Sequence, residues 1–338
     1  MSALCRRRLK MGYCFRKERR KMRKRRISLM RAAVLTLSLA ACGSKDTKEQ
    51  DAYRQYGINC LEIGKYDEAI QAFQNALDQS LGKVGEKEID ICFYKAEAQA
   101  LNGATKDALE TYNAIIDYNK DGRAYYLRGN LYFDMGDQEK ALADYESAVK
   151  EDKKDYEIYI GIYQSMNQHG LGQDGQKYLN AALEIKGSKA EDMLYKGRIS
   201  YFLGDYKTAQ TDLEKAKKDG LAQASYYLAQ TYKANGETDK ADKCVKEYLD
   251  SGVATSYELY DLGAEEMGEG NYTEALTYFN AGLALEKVPN KQNLMKSAIS
   301  AYEYSGDFAS AKTMLADYLE QYPSDEDAQK ESTFLETR

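Results

Sequence analysis

The sequence predicts an all-α protein in which one helix-turn-helix unit recurs about eight times. Three observations predict this fold. Glycine returns at a nearly constant interval, small residues hold fixed positions on either side of it, and a bulky apolar residue follows nine positions later. The recurring glycines are Gly64, Gly103, Gly136, Gly170, Gly204, Gly236, Gly270 and Gly306. Their spacing of 32 to 39 residues is typical of helical repeat arrays.

Each of these glycines is expected to end the first helix of a hairpin, because glycine adopts the left-handed backbone conformation at little steric cost. Small residues precede the turn except at Tyr163 and Ile299, and alanine follows it except at Gly175, which is also small. They are expected to let the paired helices approach closely. The small residues are Gly57, Ala96, Gly129, Gly197, Ala229 and Gly263 before the turn, and Ala69, Ala108, Ala141, Ala209, Ala241, Ala275 and Ala311 after it.

The bulky residues nine positions after each turn are expected to fill the space between neighbouring hairpins. One hairpin cannot bury such a face alone, so the pattern predicts a stack of hairpins. These residues are Phe73, Tyr112, Tyr145, Leu179, Leu213, Val245, Phe279 and Leu315.

A period near 34 residues with these residue types in one register resembles the tetratricopeptide repeat. Residues 64–69, 204–209 and 270–275 are near copies of one another, and the resemblance covers roughly residues 50 to 325. Tryptophan, common at the start of the family motif, is absent, and tyrosine or another apolar residue replaces it. The resemblance implies an α-solenoid of about eight repeats, at residues 51–325, that forms a right-handed superhelix.

Glycine, proline and serine residues also predict the segments that connect the repeats and follow the last one. The longest interval between turn glycines predicts an extended loop from Leu81 to Glu88. Pro289 and Pro323 are expected to follow second helices, where a missing amide hydrogen is tolerated. Residues 326–338 are expected to form a short capping helix over the last hairpin, with Ser324 at its N-terminus.

The N-terminal residues differ sharply in charge from the remainder of the chain. Residues 1–41 hold 14 of the 48 Lys and Arg residues and one acid, Glu18. From Cys42 onward, 34 basic residues face 53 acidic ones, a net charge of −19. A basic run followed by a short uncharged run is typical of an export signal, and ten apolar residues are too few to span a bilayer.

The sequence Leu-Ala-Ala-Cys-Gly at residues 39–43 resembles a bacterial lipoprotein signal. This resemblance implies that residues 1–41 are removed and that Cys42 carries a lipid, which anchors the chain to the extracytoplasmic side of a cell membrane. Residues 42–50 are then a lipidated tether. An ordinary secretory signal with an incidental cysteine is the alternative. Residues 1–21 exceed what a signal requires, so translation is expected to start at Met22.

The chain offers no recognisable enzyme chemistry, cofactor site or metal site. Residues 170–175 match the dinucleotide motif GxGxxG but lack a second strand candidate, and residues 117–122 match a calcium loop whose closing ligand would be Arg128. His169 is the only histidine and is expected to lie in a solvated turn. Cys60, Cys92 and Cys244 are expected to be buried apolar side chains. The acidic repeats argue against nucleic acid as a partner.

By the family resemblance, first helices line the inner, concave surface of the superhelix. Positions ten, six and three residues before each turn glycine are expected to face it. Aromatic rings and amides recur there, and they suit an extended peptide or a partner helix. The alternative is that these residues merely pack between repeats. The predicted binding residues are Arg54, Phe93, Tyr126, Asn130, Phe133, Gln164, Asn167, Arg198, Tyr201, Tyr226, Gln230, Lys233 and Tyr260.

Two functions are compatible with these patterns. The first is a lipid-anchored scaffold that mediates protein–protein interaction at the outer face of a bacterial membrane. The second is a lipoprotein that binds carbohydrate or the cell wall, since aromatic rings beside amides also suit sugars. Loss of a protein partner from a groove variant would favour the first function, and loss of retention on glycan would favour the second.

Overall fold

A computed structural model describes residues 46–286 and 288–337 of the chain, which are helical or in turns throughout and include no β-strand. Seventeen helices occupy these ranges. They are α1 (Asp46–Glu62), α2 (Tyr66–Asp78), α3 (Glu86–Leu101), α4 (Thr105–Asn119), α5 (Gly122–Asp134), α6 (Gln138–Glu151), α7 (Tyr156–Gln168), α8 (Gly172–Leu183), α9 (Ala190–Phe202), α10 (Tyr206–Lys218), α11 (Gln223–Ala234), α12 (Thr238–Asp250), α13 (Ser256–Glu269), α14 (Tyr272–Leu283), α15 (Lys291–Ser305), α16 (Phe308–Gln321) and α17 (Glu326–Leu335).

The helices form eight hairpins, and each predicted turn glycine lies between the two helices of one hairpin. All eight have a positive φ, from +75° to +82°. A residue with a Cβ atom is strained in this left-handed region, which explains why glycine recurs at these positions. The predicted all-α fold of stacked hairpins is therefore confirmed.

The chain divides into two compact units. Unit 1 ends at Lys186 and contains the hairpins from α1 to α8; unit 2 begins at Gly187 and contains those from α9 to α16 together with α17. Second helices pack on the first helices that follow them, as α2 does on α3 in unit 1 and α14 on α15 in unit 2. The sequence predicted one uninterrupted array over residues 51–325, and the right-handed superhelix stays a prediction.

The small residue before the turn makes room for a large side chain of its own hairpin. A Cβ atom on Gly57 would lie 2.6 Å from the ring of Phe73, and one on Gly129 would lie 2.7 Å from Tyr145. The sequence predicted instead that small residues face one another and that large ones fill the space between hairpins. The large residues pack within their own hairpin and also between hairpins. The Phe73 ring, for example, lies against Gly57 and stacks on Tyr94 of the next hairpin, with centroids 5.6 Å apart.

Two expectations about buried side chains need correction. Val245 is half-buried, whereas Cys244 and Tyr248 are 5% and 0% exposed. These two residues are four positions apart and share one face of α12. The buried face of this helix therefore includes Cys244, one position before the residue that the pattern predicted. Cys60 and Cys244 are buried as predicted, but Cys92 is only half-buried.

The connections follow the predicted turn residues, with small shifts. The loop between α2 and α3 spans residues 79–85, and Glu86 to Glu88 already belong to α3. Helix α3 starts early because the Glu88 carboxylate accepts a hydrogen bond from the backbone N–H of Gly85 at 2.8 Å. Pro289 and Pro323 lie outside the helices, as predicted.

The last helix covers the final hairpin, as the sequence predicted for residues 326–338. Ala328 and Leu335 are 6% and 1% exposed and pack with the buried Leu315 and Tyr318. The N-terminal capping residue is Asp325, whose carboxylate accepts a hydrogen bond from the Ala328 N–H at 3.2 Å, so the assignment to Ser324 was wrong.

The predicted leader at residues 1–41 and Cys42 lie outside the described residues. Of the predicted tether at residues 42–50, the part from Asp46 onward belongs to α1. None of the helices in the described ranges combines the length and apolar character that crossing a bilayer requires.

Candidate protein-binding surface on the first helices

Six of the thirteen predicted binding residues lie in the interior of their unit. Each of these six side chains exposes less than a tenth of its surface, so we correct the expectation that they present contact area to a partner. They are Phe93, Tyr126, Asn130 and Phe133 in unit 1, and Arg198 and Tyr226 in unit 2, with exposed fractions of 2%, 9%, 3%, 6%, 7% and 8%.

In unit 1 the buried residues are covered by neighbouring repeats. The Arg123 guanidinium lies over the Phe93 ring, 4.6 Å from its centroid. The Phe133 ring stacks on His169 at 4.6 Å, so the lone histidine is exposed in its turn but packs against a ring. Cation–π and ring contacts of this kind stabilise the hairpin stack and remove these faces from a partner.

A buried polar cluster surrounds the Tyr145 hydroxyl in unit 1. This hydroxyl lies 2.5 Å from Asn130 Oδ1 and 2.5 Å from Ser165 Oγ. The Asn130 Nδ2 atom has no hydrogen-bond partner among the described residues. Because buried polar groups are costly unless paired, Tyr145 explains why an amide is tolerated at this position.

The remaining predicted residues of unit 1 retain more exposed surface. Arg54 is half-buried, donates from Nε to Asp90 Oδ2 at 2.7 Å and lies over the Tyr94 ring at 5.1 Å. Gln164 is half-buried and Asn167 is exposed. Arg54 therefore joins α1 to α3, while Gln164 and Asn167 both lie on α7.

In unit 2 the predicted residues form a charged surface. Lys233 Nζ lies 3.1 Å from Glu265 Oε1, 3.7 Å from Glu266 Oε1 and 2.8 Å from Glu269 Oε1. Burial alone lowers the pKa of Lys233, but hydrogen bonds to Glu269 and Glu265 outweigh it and hold this pKa above its ordinary value. Lys233 is thus firmly cationic, yet three carboxylates surround it.

Gln230 and Tyr201 border the same carboxylates. Gln230 Nε2 lies 3.4 Å from Glu265 Oε2. Burial first, and then the charges of Tyr206 and Glu265, raise the pKa of Tyr201, so its hydroxyl stays protonated and can donate. We call Tyr201, Gln230, Lys233, Glu265, Glu266 and Glu269 the acidic patch; they lie on α9, α11 and α13, three successive first helices of unit 2.

Sequence reasoning missed several residues around these positions. Arg198 is held between the rings of Tyr195 and Tyr227, 5.3 Å and 4.8 Å from their centroids. Glu265 and Glu266 lie five and four positions before Gly270. They fall between the positions six and three before the glycine that the sequence predicted to face the concave surface. Three acids cluster within residues 265–269, on the first helix of the repeat after Lys233, and this charge pattern could have indicated a partner for the lysine. Tyr260, also predicted, is half-buried against the Phe279 ring at 6.0 Å.

The two motifs that resembled ligand sites have structural roles. The strand-like residues before GxGxxG form helix α7, and Gly170 is its turn glycine. Asp121 caps α5 by accepting the Arg123 N–H at 3.0 Å, as a turn residue should. Arg128 Nε and the Asp144 carboxylate lie 2.7 Å apart. No group of three or more potential metal ligands occurs within residues 46–286 and 288–337.

Stacked helical hairpins with exposed polar and aromatic side chains on the first helices define a repeat scaffold of the protein-binding class. Tetratricopeptide repeat models match residues 57–118, 122–155 and 292–325. The chain is a tetratricopeptide repeat protein. Proteins of this family are in general non-enzymatic scaffolds that mediate protein–protein interactions.

The chain is similar to one curated protein and to several solved structures, of which yeast Tom70 supports the fold. The chain is 21% identical over 161 residues to the BBSome complex member BBS4 of Bos taurus, a match to 48% of this chain and 30% of that protein. Yeast Tom70 is 16% identical, with a TM-score of 0.57 over 90% of this chain and 66% of that one. A tetratricopeptide repeat protein from Parabacteroides merdae is 14% identical, with a TM-score of 0.45 over 75% and 99%. The chain spans about a third of BBS4 and just under two thirds of Tom70.

Proposed function

We propose that this protein is a lipid-anchored scaffold that holds a protein or an extended peptide at the outer face of a bacterial membrane. The acidic patch of unit 2 is the observation that carries the binding part of this proposal. It combines a tyrosine hydroxyl, a half-buried amide and a cluster of carboxylates on three successive first helices. Amides and hydroxyls can pair with the backbone groups of an extended segment.

The charge of the patch indicates the kind of segment that it binds. Three carboxylates, Glu265, Glu266 and Glu269, surround the single cation Lys233, and the chain from Cys42 onward carries a net charge of −19. Electrostatic complementarity therefore favours a partner segment with lysine or arginine side chains. A partner with an acidic segment would be repelled.

Crosslinking and co-purification from native membranes test the surface. We expect the intact protein to capture a protein partner and the double variant Tyr201→Ala, Gln230→Ala to lose most of it. Lys243→Ala is the matched control, because Lys243 is exposed on α12, a second helix of the same unit. Thermal unfolding of all three forms separates lost binding from lost folding. Equal capture by the double variant and the control would exclude the acidic patch as the binding surface.

The lipid anchor is tested separately at Cys42. We expect Cys42→Ser to leave the membrane fraction, because the thioether to lipid forms on the cysteine sulfur. Cys92→Ser is the matched control, since this half-buried cysteine lies in α3 and its loss should leave membrane association unchanged. Intact mass measurement of the membrane-bound protein reports the lipid directly. A membrane-bound Cys42→Ser protein would show that the anchor is elsewhere.

Carbohydrate or cell-wall binding is the second candidate, and one pair of rings favours it. Tyr272 and Tyr304 stack in unit 2 with centroids 5.3 Å apart, and Tyr304 is 67% exposed. Exposed tyrosine rings provide flat apolar surface with a polar edge, which suits sugar rings as well as peptides. Retention on purified cell-wall glycan that is lost in Tyr304→Ala and kept in the acidic-patch variant would support this function.

A further inference from the structure

The loop between the first and second hairpins holds the most exposed large apolar side chain of the described residues. Leu81 is 78% exposed, ahead of Tyr304 at 67%. Its φ of +51° lies in the left-handed region, which only one other non-glycine residue in the described ranges, Lys120, also adopts. A leucine is strained in this conformation, and the next residue is a glycine for which it costs little. Packing within the fold does not explain a leucine here.

Hydrogen bonds hold this loop, residues 79–85, in a defined shape. The Ser80 carbonyl oxygen accepts the Lys83 N–H at 3.0 Å, and the Ser80 hydroxyl donates to the Leu77 carbonyl at 2.7 Å. The Tyr118 hydroxyl of α4 donates to the Val84 carbonyl oxygen at 3.1 Å. These bonds tie the loop at both ends and in its middle, so Leu81 is presented to the outside on a structured turn.

The loop also lies beside the N-terminal end of α1. The Glu88 carboxylate accepts hydrogen bonds from the Gly85 N–H at 2.8 Å and from Gln50 Nε2 at 2.9 Å. Lys87 Nζ pairs with Asp51 Oδ1 at 2.7 Å. The first turn of α3, which directly follows the loop and bonds to its last residue, is therefore joined to the first turns of α1 by direct contacts within unit 1.

A lipid on Cys42 would bring this end of unit 1 to the membrane. Asp46, the first residue of α1, follows Cys42 by four positions. Even a fully extended chain spans at most about 14 Å over that distance. The anchor thus limits how far the start of α1, and the loop beside it, can move from the lipid headgroups.

We propose that the loop of residues 79–85 is a second membrane contact, in which Leu81 inserts between phospholipid headgroups and the exposed Lys83 pairs with a lipid phosphate. This inference rests on the lipid anchor of the proposed function. Apolar insertion drives the contact, because the acids Asp78 and Glu86 flank the loop and offset its lysine. Burying one leucine side chain favours the inserted state by a factor of roughly ten or more.

The contact would orient the protein. A single lipid attachment limits only the distance of the first hairpin from the bilayer, and a second contact beside the same hairpin restricts its rotation. Helix α1 adds aromatic surface near its middle, since Tyr53, seven positions after Asp46, is 38% exposed. Tyrosine is well suited to the headgroup region, where its ring and hydroxyl meet different environments.

Depth-dependent fluorescence quenching tests this inference on the lipidated full-length protein. The protein is placed in vesicles of phosphatidylethanolamine and phosphatidylglycerol, with a bimane probe on Leu81→Cys and nitroxide groups on the lipid acyl chains. Met135→Cys is the matched control, because Met135 is also in unit 1 and 54% exposed but lies at a turn glycine, the opposite end of its hairpin. The native thiols interfere little, since burial raises the pKa of Cys92 to about 11 and also raises the pKa of Cys60 and of Cys244.

We expect strong quenching of the probe at position 81 and little at position 135. A second pair of proteins carries the probe on Lys83→Cys, one with Leu81 and one with Leu81→Gly. We expect quenching to be several-fold weaker in the protein with Leu81→Gly. Glycine relieves the strained backbone at position 81, so this variant should fold at least as stably as its parent. A merely structural role for Leu81 predicts a loss of stability instead.

The outcomes separate this inference from the proposed function. If intact mass shows the lipid on Cys42 but both probes are equally accessible to water, the membrane contact is overturned and the anchor stands. The same conclusion follows if a protein partner, rather than lipid, shields position 81. If the chain carries no lipid, the anchor of the proposed function is wrong and this inference falls with it.

Discussion

Tyr112 and Tyr145 occupy the same position in neighbouring hairpins of unit 1, nine residues after the turn glycine, and both are fully buried. The Tyr145 hydroxyl lies within hydrogen-bond distance of Asn130 and Ser165, whereas the Tyr112 hydroxyl has no partner among the described residues. We expect Tyr145→Phe to lower the free energy of unfolding by about 1–3 kcal/mol, because it leaves buried polar atoms unpaired.

Tyr112→Phe is the control for that prediction. It removes a buried hydroxyl without breaking a hydrogen bond to a described residue, so we expect the free energy of unfolding to change by less than about 0.5 kcal/mol or to increase. Urea unfolding of both variants measures the difference. A loss for Tyr112→Phe as large as that for Tyr145→Phe would mean that the packing of the hydroxyl oxygen, and not its hydrogen bonds, decides the outcome.

Two glycines of α13 should respond in opposite ways to the same substitution. A Cβ atom on Gly263 would lie 2.6 Å from Phe279 Cδ1, while one on Gly268 would meet nothing within 4 Å. We expect Gly263→Ala to destabilise unit 2 by about 1–3 kcal/mol through overpacking. Gly268→Ala should stabilise it by up to about 1 kcal/mol, because alanine is the better helix former. Thermal unfolding checks both, and equal shifts would contradict the close approach of α13 and α14.

At the level of single elements, α17 shows how one helix closes the stack in unit 2. Leu335 is 1% exposed and its neighbour Phe334 is 47% exposed. We expect Leu335→Ala to lower the free energy of unfolding by about 2–4 kcal/mol, because it leaves a cavity against the last hairpin. Phe334→Ala, on the outer face of the same helix, should cost less than about 1 kcal/mol. Chemical denaturation of the two variants tests this, and the reverse order would show that α17 docks by its other face.

The contact between α15 and α17 should make stability depend on pH. Burial first, and then a hydrogen bond and charge repulsion with Glu331, raise the pKa of Glu303 from its ordinary 4.5 to about 7. Between these two values the native state binds more protons than the unfolded state. The contribution of Glu303 is therefore present below about pH 4.5 and is lost as the pH rises through about 7.

Glu303→Gln removes this titration. We expect the variant to lose less stability than the wild type between pH 5 and pH 8, measured by urea unfolding at about five pH values across that range. Asp155 in unit 1, whose pKa burial also raises to about 7, titrates in both proteins and cancels in the comparison. Asp325 keeps its charge throughout, because its pKa is lowered to about 2: burial raises it, but bonds with Lys296 and Tyr318 outweigh that effect. Parallel pH profiles would rule out the Glu303–Glu331 contact.

For the whole molecule, the hairpins could be predicted from the sequence because their signals are local. The turn glycines, the connector prolines and the closing helix each depend on residues close together in the chain. The binding residues were harder to predict, because the exposure of each side chain depends on which residues of the next repeat cover it. Phe93 is covered by Arg123, and Lys233 meets three acids of the following first helix. No change in amino-acid composition marks the division between the two units after Lys186.

The turn glycines also have a consequence for how such a chain can change length. Within a unit, neighbouring hairpins meet through side chains at the same offsets from these glycines, as Phe73 and Tyr94 do. Duplication or deletion of one whole hairpin, roughly 34 residues, recreates a junction of the same kind. An insertion of one or two residues inside a helix rotates every later side chain away from its partner. Genes for such arrays can therefore grow or shrink by entire repeats far more readily than by single codons.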